Sequence, residues 1–308
     1  MSNRFFFYRC CITRALGLGP GLCLGLAALV SSGAIADQLR SPYEIVDIAP
    51  QSDWRAMDQD NSLYIELASG TVVIELFPAM APRHTDNIKA LVGEGFYDGL
   101  SIYRVVEGFV AQGGDAHDPR EPRAGRRSLP GEFIQRGELP GTFTAVDDED
   151  DFAAQSGYIN GFPIARDGGL FWMVHCPGAF ALARGDDPAS GGTEFYVVLG
   201  HAPRYLDRNV TVFGAVRHGM EHYQQLNRGV DASGQLEPQR RNPIKRIRLG
   251  SALPIEQRLA IDVMRTESAS FSELVQSRSR RPESWFVYQP GYVDVCGVPV
   301  PTRVGEGR

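Results

Sequence analysis

Residues 101–115 read Ser-Ile-Tyr-Arg-Val-Val-Glu-Gly-Phe-Val-Ala-Gln-Gly-Gly-Asp, and the interpretation of the whole chain starts from them. The β-branched and aromatic residues predict a strand that is broken at Gly108 and turned at the Gly-Gly pair. Taken alone, the other residues have ordinary interpretations: Arg104 faces water, Phe109 packs in a core and Gln112 caps a turn. The neighbouring sequence decides whether those interpretations are sufficient.

The segment before this stretch predicts a hairpin and then a helix. Two β-rich runs, 63–67 and 71–77, flank Ala-Ser-Gly, a connection short enough for a hairpin. In residues 85–92, apolar side chains at positions i, i+3 and i+4 share one face, which predicts a helix; they are Ile88, Leu91 and Val92.

The segment after it predicts more short strands and few helices. A short helix is expected from about Met220 to Asn227. Strands are expected at 169–174, 181–183, 194–199, 210–216 and 244–249. Many short strands with few helices favour a β-barrel or a sandwich over alternating βαβ units.

Three segments lie outside this pattern. Residues 37–61 are polar and irregular, and we interpret them as a lead-in segment. Residues 117–168 are rich in Pro, Gly and charge, which predicts a long surface insertion that is partly ordered at best. The tail, 252–308, has helical spacing first at Ile255, Leu259 and Val263 and then at Phe271, Leu274 and Val275. The tail is either an extension packed on the barrel or a surface for a partner.

Residues 1–36 have the pattern of a secretory signal peptide. Arg4, Arg9 and Arg14 form a basic start without acids, an apolar stretch covers 15–30, and small residues precede a cleavage site before Asp37. The alternative is an uncleaved anchor helix, which Pro20 and several glycines disfavour. We therefore expect export, with the bacterial periplasm as the compartment and no membrane contact after cleavage.

Charge and cysteine content fit an exported protein. The chain has 31 Lys and Arg against 37 Asp and Glu, a net charge of −6, which argues against general binding to nucleic acid or anionic lipid. Three of the five cysteines lie in the signal segment. The remaining two, Cys176 and Cys296, either pair in an oxidising compartment or stay as separate buried thiols.

Residues 103–115 resemble the signature of cyclophilin-type peptidyl-prolyl isomerases, F-H-R-V-x-x-G-F-M-x-Q-G-G-D. Residues 74–88, 182–196 and 206–220 are similar to further family segments, including M-A-[NR]…[GS]-S-Q-F-F and L-D…V-F-G-x-V-x-x-G-M. The resemblance covers 62–116, 169–227 and 244–251, and does not extend to 117–168 or 252–308.

The resemblance implies a mainly β fold, a closed eight-stranded antiparallel barrel with a helix over each open end. The domain would span residues 62–251 and carry the insertion 117–168 as a long loop. A partly helical extension, 252–308, would follow it.

The resemblance also implies an isomerase that needs no metal, cofactor or covalent step. Arg104 and Gln112 are the implied catalytic residues: a guanidinium N–H would stabilise the proline nitrogen of a twisted amide, and Gln112 would bind the preceding carbonyl. The implied substrate-binding residues are Phe109, Val110, Ala183, Arg184, Glu194, Tyr196, Tyr205 and Leu206. The expected partners are extended, proline-containing polypeptides, bound by a monomer.

Four departures from the family pattern bear on the pocket and its rim. Val110 stands in place of Met, Tyr205 in place of Trp, Val210 in place of His and Glu194 in place of Gln. A carboxylate at position 194 could pair with Arg104 and weaken the donor, so slower catalysis or a changed preference before proline is expected.

Two other functions compete with this interpretation. The first is a cyclophilin-like binding module that holds exported polypeptides as a chaperone, with little turnover. The second is zinc chemistry, because His218 to His222 match H-x-x-E-H. Gly219 follows the first His, so His218 is expected before the helix rather than on it. The remaining histidines (84, 117, 175 and 201) are interpreted as surface or packing residues.

Overall fold

The computed structural model describes residues 39–147 and 150–305, so the predicted signal peptide lies outside the described residues. The α-helices are α1 (Pro42–Ile48), α2 (Pro82–Gly93), α3 (Met220–Gln224) and α4 (Ala269–Arg280). The strands are β1 (Trp54–Ala56), β2 (Ser62–Glu66), β3 (Thr71–Leu76), β4 (Ser101–Val105), β5 (Val110–Gly114), β6 (Ser128–Leu129), β7 (Gln135–Arg136), β8 (Thr144–Asp147), β9 (Gln155–Ile159), β10 (Phe162–Asp167), β11 (Leu170–Met173), β12 (Ala179–Leu182), β13 (Gly191–Gly192), β14 (Phe195–Val198), β15 (Val212–His218), β16 (Asn242–Pro243), β17 (Arg246–Leu249), β18 (Ile261–Met264) and β19 (Thr302–Val304). Single 3-10 turns lie at Gln51–Asp53, Gln59–Asn61, Arg204–Leu206, Pro238–Arg240, Gly250–Ala252, Ile255–Gln257 and Val295–Gly297. Within these ranges, every helix is too short or too polar to cross a bilayer.

A curled antiparallel sheet of nine strands is the central element of the described chain. Its order is β16-β4-β5-β14-β12-β15-β3-β2-β17. The predicted hairpin is confirmed as β2 and β3, which pair from Ser62 opposite Glu75 to Glu66 opposite Thr71. The mainly β fold expected from the many short strands is therefore present.

The expected closed barrel of eight strands is not what the structure shows. The sheet has nine strands and two edges, β16 paired with β4 and β17 paired with β2. The residues between the edge strands change partner, because Ile244 bonds to Leu100 whereas Lys245 bonds to Glu66. Pro243 has no N–H with which to continue the first ladder. The pairing is therefore interrupted where the chain crosses from one edge to the other.

The sheet and two helices enclose the first apolar core, which we call the sheet core. Helix α2 starts at Pro82, a favoured first position, and buries Ile88, Leu91 and Val92, as their spacing predicts. Helix α3 contributes Tyr223, which is fully buried. Both helices expected to cover the barrel ends thus pack on this core.

A second apolar cluster, which we call the outer core, combines segments outside the family signature with residues 172–176. It contains Ile45 and Trp54 from the lead-in, Tyr158 from the insertion, and Phe271 and Leu274 from α4. The capping box between Ser41 and Glu44 starts α1, and α1 packs on α4.

The expectation of a partly ordered loop at 117–168 is wrong. Strands β7 to β11 form a five-stranded sheet in the order β7-β11-β10-β9-β8. Tyr158, Ile159, Phe162 and Ile164 of β9 and β10 are each at most 2 % exposed. Pairing with β11 and burial therefore stabilise strands that the Pro- and Gly-rich composition hides.

The tail confirms one of its two predicted helical stretches. Phe271 and Leu274 lie on the buried face of α4, as expected. The helix expected around Val263 is wrong, because β18 is the central strand of a three-stranded sheet in the order β1-β18-β19. Alternating burial of Ile261 and Val263 on a paired strand decides the outcome over helical spacing.

A disulfide joins the sheet region to the tail. Cys176, between β11 and β12, is bonded to Cys296, 120 residues later in the chain. Closing a loop of that length in the unfolded chain removes conformational entropy worth about 5 kcal/mol in the chain-entropy description. The tail is therefore covalently tied beside the outer core.

A buried cluster of ion pairs ties the sheet to the lead-in and to the insertion. Glu75 of β3, 2 % exposed, accepts from Arg217 Nε at 2.8 Å and from Arg55 Nη1 at 2.6 Å. Arg217 Nη1 also donates to the carbonyl of Gly161 in the insertion at 3.0 Å. Burial alone would raise the pKa of Glu75, but Arg217 and Arg55 outweigh it and lower that pKa. The carboxylate therefore stays charged inside the protein.

Candidate active site

Arg104 and Gln112 face each other across the β4–β5 hairpin. Gly108 has φ +65°, a left-handed conformation that glycine adopts without strain, and it closes the turn between the two strands. The register then places Arg104 opposite Gln112. Arg104 Nη1 donates to Gln112 Oε1 at 3.2 Å. The two implied catalytic residues are thus brought into direct contact by one glycine turn.

An open cavity of about 360 Å³ lies beside this pair. Eight residues implied by the resemblance line it: Arg104, Phe109, Val110, Gln112, Ala183, Arg184, Tyr196 and Leu206. Gly185, Asp186 and Val210 complete the lining. Phe109, Val110, Tyr196 and Leu206 are the large apolar residues of a lining that also contains the Arg104 guanidinium. Its shape and lining suit a small apolar ring joined to a polar amide.

Arg104 is anchored on one side of its guanidinium. Its Nε donates to the carbonyl of Ser233 at 2.8 Å, and its Nη1 is used by Gln112. Among the described residues, nothing accepts a hydrogen bond from Nη2, which is therefore available to a ligand. The residue types Asp231 and Ser233 indicate a turn at 231–233. In the structure, Asp231 accepts hydrogen bonds from the backbone N–H and the hydroxyl of Ser233. The sequence does not indicate that this turn contacts Arg104.

Two of the implied substrate-binding residues are not part of the cavity lining. Tyr205 follows Arg204 in a 3-10 turn and is 66 % exposed, so it lies at the rim. Glu194 does not pair with Arg104: its carboxylate accepts from the Tyr103 hydroxyl at 2.5 Å and from the Ala116 N–H at 2.7 Å. The hypothesis of a direct Glu194–Arg104 pair is therefore wrong.

Glu194 instead reaches Arg104 through two other side chains. Gln112 Nε2 donates to the Tyr103 hydroxyl at 2.7 Å, and that hydroxyl donates to Glu194. Burial raises the pKa of Tyr103, and the Glu194 charge raises it further, so the phenol stays a neutral donor. Burial also raises the pKa of Glu194, against the lowering effect of its Tyr103 and Ala116 hydrogen bonds. Sequence reasoning missed Tyr103, which fixes the amide of Gln112.

Comparisons with known proteins agree with this geometry. The family described as "Cyclophilin type peptidyl-prolyl cis-trans isomerase/CLD" matches residues 62–249. A probable peptidyl-prolyl cis-trans isomerase of Brucella suis is 28 % identical over 185 residues, covering 58 % of this chain and 76 % of the relative. Peptidyl-prolyl cis-trans isomerase B of Bacillus subtilis is 31 % identical over 168 residues, covering 54 % of this chain and 90 % of the relative.

The chain belongs to the cyclophilin family. It is thus a peptidyl-prolyl cis-trans isomerase by family. A crystal structure of a cyclophilin from Hirschia baltica is similar to it, with a TM-score of 0.68 and 31 % identity over 82 % of this chain and 93 % of that one. This share is larger than residues 62–249, so the likeness includes part of the added segments of this cyclophilin.

The histidines of the H-x-x-E-H match lie on different elements of this cyclophilin. His218 is the last residue of β15, opposite Val73, and His222 lies in α3 after the left-handed Gly219. His218 precedes the helix, as expected, so the two rings do not share a helical face. In the part of the chain that the structure describes, no group of three or more His, Cys, Asp or Glu side chains is placed to hold a metal ion.

Proposed function

We propose that this cyclophilin isomerises X–Pro bonds of exported polypeptides and thereby assists their folding, with Arg104 as the main catalytic residue. The observation that carries the proposal is the available Nη2 of Arg104 in a cavity with large apolar residues in its lining. That arrangement places a permanent cation next to a site for a proline ring.

The reaction needs a group that binds the twisted amide better than the planar one. Rotation about an X–Pro bond meets a barrier of about 20 kcal/mol, because resonance gives the C–N bond partial double-bond character. At the top of the barrier conjugation is lost and the proline nitrogen gains a lone pair. An N–H donor aimed at that nitrogen lowers the barrier, because the planar isomers offer it no such acceptor.

The size of this effect requires help from the cavity. One charge-assisted hydrogen bond contributes about 1.5–3 kcal/mol, or roughly one to two decades in rate. Phe109, Val110 and Leu206 would remove water from the amide, which favours the less polar twisted state. Gln112, oriented by Arg104 and Tyr103, would bind the carbonyl before proline and resist its rotation.

Two features support exported polypeptides as substrates. Residues 1–36 have the sequence pattern of a secretory signal peptide. Cys176 and Cys296 form a disulfide, a bond that persists in oxidising compartments such as the bacterial periplasm. The substrates would therefore be chains that fold after crossing a membrane.

A second candidate function is a chaperone-like holding activity. Its support is an exposed apolar segment after α4, where Trp285 is 82 %, Val287 is 105 % and Tyr288 is 77 % exposed. Exposed apolar patches of this kind are typical of protein-binding surfaces. Holding would use that segment, whereas isomerisation would use the cavity at Arg104.

The test is isomerisation of a short X–Pro peptide by the mature chain starting at Asp37. Arg104→Ala is expected to lower kcat/KM about 10- to 100-fold, because one charge-assisted hydrogen bond is lost. The kcat/KM of Arg104→Lys should lie between those of the wild type and Arg104→Ala, since lysine keeps the positive charge but lacks the planar guanidinium. Arg136→Ala, which removes an exposed arginine outside the cavity, is the matched control and should leave the rate unchanged.

Two outcomes would contradict the proposal. An unchanged rate in Arg104→Ala would remove Arg104 from the mechanism. A wild-type chain that suppresses aggregation of an unfolded protein without accelerating peptide isomerisation would favour the holding function.

A further inference from the structure

The wall of the proline cavity carries a phenolic hydroxyl where the family pattern S-Q-F-F has a phenylalanine. That hydroxyl belongs to Tyr196 of β14, which is 6 % exposed and lines the cavity with its ring. The hydroxyl lies 2.9 Å from His175 Nε2, behind the cavity wall. A buried hydroxyl without a partner would be costly, so Tyr196 depends on His175 for its position.

His175 is itself fixed by a carboxylate. Its ring is fully buried, and its Nδ1 lies 2.8 Å from Asp207 Oδ1, which also accepts from the His175 backbone N–H at 3.1 Å. Since a carboxylate only accepts, Nδ1 carries the proton, and Nε2 is left as the acceptor for the Tyr196 hydroxyl. Burial raises the pKa of Tyr196, and nearby Asp207 adds to this, so the phenol remains a donor.

Asp207 is held by Arg204, which in turn contacts the insertion and the tail. Arg204, 6 % exposed, donates from Nε to Asp207 Oδ2 at 2.6 Å. Its other two nitrogens bind Asp150 of the insertion, both at 3.1 Å, and one of them lies 3.8 Å from Asp294 of the tail. Arg204 also starts the 3-10 turn that carries Leu206 into the cavity.

The disulfide is adjacent to the same network at both of its ends. Cys176 directly follows His175, and Cys296 lies two residues after Asp294. The insertion, the tail and the disulfide thus all lie beside the hydrogen-bond network that holds the His175 imidazole against Tyr196. No other side chain in the described residues hydrogen-bonds the Tyr196 hydroxyl.

We infer that His175 is a positioning residue for proline binding, acting through Tyr196 and held in place by Asp207. The inference rests on the proposed function, because it assigns how the cavity at Arg104 is kept in shape. Its effect falls on substrate binding rather than on the rotation step, since His175 does not line the cavity and Arg104 is untouched by it.

The experiment measures KM and kcat of peptide isomerisation separately for three variants. His175→Ala is expected to raise KM roughly 5- to 10-fold with kcat within about twofold, because the Tyr196 hydroxyl loses its buried partner. Tyr196→Phe removes the hydroxyl and should raise KM only about twofold, since the polar atom that it leaves unpaired, His175 Nε2, lies behind the cavity wall rather than in it. The double variant should match Tyr196→Phe, because His175 acts only through that hydroxyl.

The double variant separates positioning from a merely structural role. If His175→Ala raises KM by the same factor whether residue 196 is Tyr or Phe, His175 does not act through Tyr196 and the inference is overturned. An unchanged KM in His175→Ala, with a lowered Tm alone, overturns it as well. If His175→Ala does not fold, Tyr196→Phe decides instead, and an unchanged KM in that variant overturns the inference.

The outcome is distinguishable from failure of the proposed function. An inactive wild-type chain, or an active chain insensitive to Arg104→Ala, contradicts the proposed function. An active chain that is sensitive to Arg104→Ala but indifferent to His175 contradicts only this inference.

Discussion

The sheet core and the outer core are stabilised in different ways. The sheet core is one continuous ladder of paired strands, which includes the hairpins β2–β3 and β4–β5 and also distant pairs such as β3 with β15. The outer core instead assembles Ile45, Tyr158 and Phe271, which come from three segments far apart in sequence. Tyr158 illustrates this, because its hydroxyl donates to the carbonyls of Val295 and Val298 in the tail. Backbone pairing in one sheet holds the first region together, whereas side-chain contacts between separate segments hold the second.

The proline cavity lies where the two regions meet. Its polar side, Arg104 and Gln112, belongs to one hairpin of the sheet. Its apolar wall is supported through Tyr196 and Arg204 by Asp150 and Asp294, which belong to the added segments. In the proposed mechanism, catalysis and binding therefore depend on separate regions: the hairpin carries the donor, and the outer region supports the pocket wall.

The largest effect is expected from removing the disulfide. Cys176→Ser combined with Cys296→Ser should lower the free energy of unfolding by about 4 kcal/mol, because the tail and the barrel are no longer cross-linked. The loss should fall first on the outer core, which holds Trp54 and Trp172, so in urea the tryptophan fluorescence should change before the far-UV circular dichroism, which reports all the strands.

The matched control for this prediction is the wild-type chain in reductant, which should behave like the double variant. Thiol alkylation of the wild-type chain, expressed with residues 1–36, also tests export. If the chain is exported, Cys176 and Cys296 form the disulfide and take up no alkylating reagent. A single unchanged unfolding transition would show that the two cores unfold together without the cross-link. Free thiols in cells would contradict export.

A smaller loss is expected from breaking the buried Glu75–Arg217 pair of the sheet, whose arginine also bonds to the insertion. Arg217→Met keeps an apolar chain near Phe162 but leaves Glu75 with Arg55 alone, and should cost about 3 kcal/mol of stability. The measurement is urea unfolding at neutral pH. Arg136→Met, on an exposed arginine, is the control and should be neutral.

A double variant tests whether the lost stability comes from the uncompensated charge of Glu75. Adding Glu75→Gln to Arg217→Met should recover part of the loss, because no uncompensated charge remains buried. If Arg217→Met alone is neutral, Arg55 of the lead-in suffices for Glu75, and the bond from Arg217 to the insertion adds little stability.

The smallest effect is a pH dependence from Glu194 within the hairpin region. Burial raises the folded-state pKa of Glu194, so its favourable contribution is complete below the unfolded pKa and is lost as pH rises through the folded value. Glu194→Gln carries no charge, and its stability relative to wild type should therefore increase as pH rises from about 4 to about 7. Parallel unfolding curves at each pH measure this difference.

Glu138→Gln provides the control for that titration, because Glu138 is exposed. Its stability relative to wild type should stay constant over the same pH range. A relative stability of Glu194→Gln that falls with pH would mean that Tyr103 and Ala116 stabilise the carboxylate by more than burial destabilises it.

Much of the hairpin region could be predicted from the sequence, because its signals are local. Strand alternation, a glycine turn and the helical spacing of Ile88, Leu91 and Val92 are all contained in short windows. The family signature then placed Arg104, Gln112 and most of the cavity lining in one site. The insertion was wrongly predicted from its composition, although its β9–β10 hairpin also carries a local signal: Asn160 and Gly161 form the turn with φ angles of 52° and 83°.

The sequence by itself therefore determined the family, the mainly β fold and the identity of the cavity side chains. Only the tertiary structure decided that Glu194 binds Tyr103 rather than Arg104, that Ser233 anchors the guanidinium, and that His175 supports Tyr196. The physical reason is distance along the chain. Hydrogen bonds and ion pairs between residues tens to hundreds of positions apart leave no periodic trace, whereas turns, strands and helices are set by neighbours within a few residues.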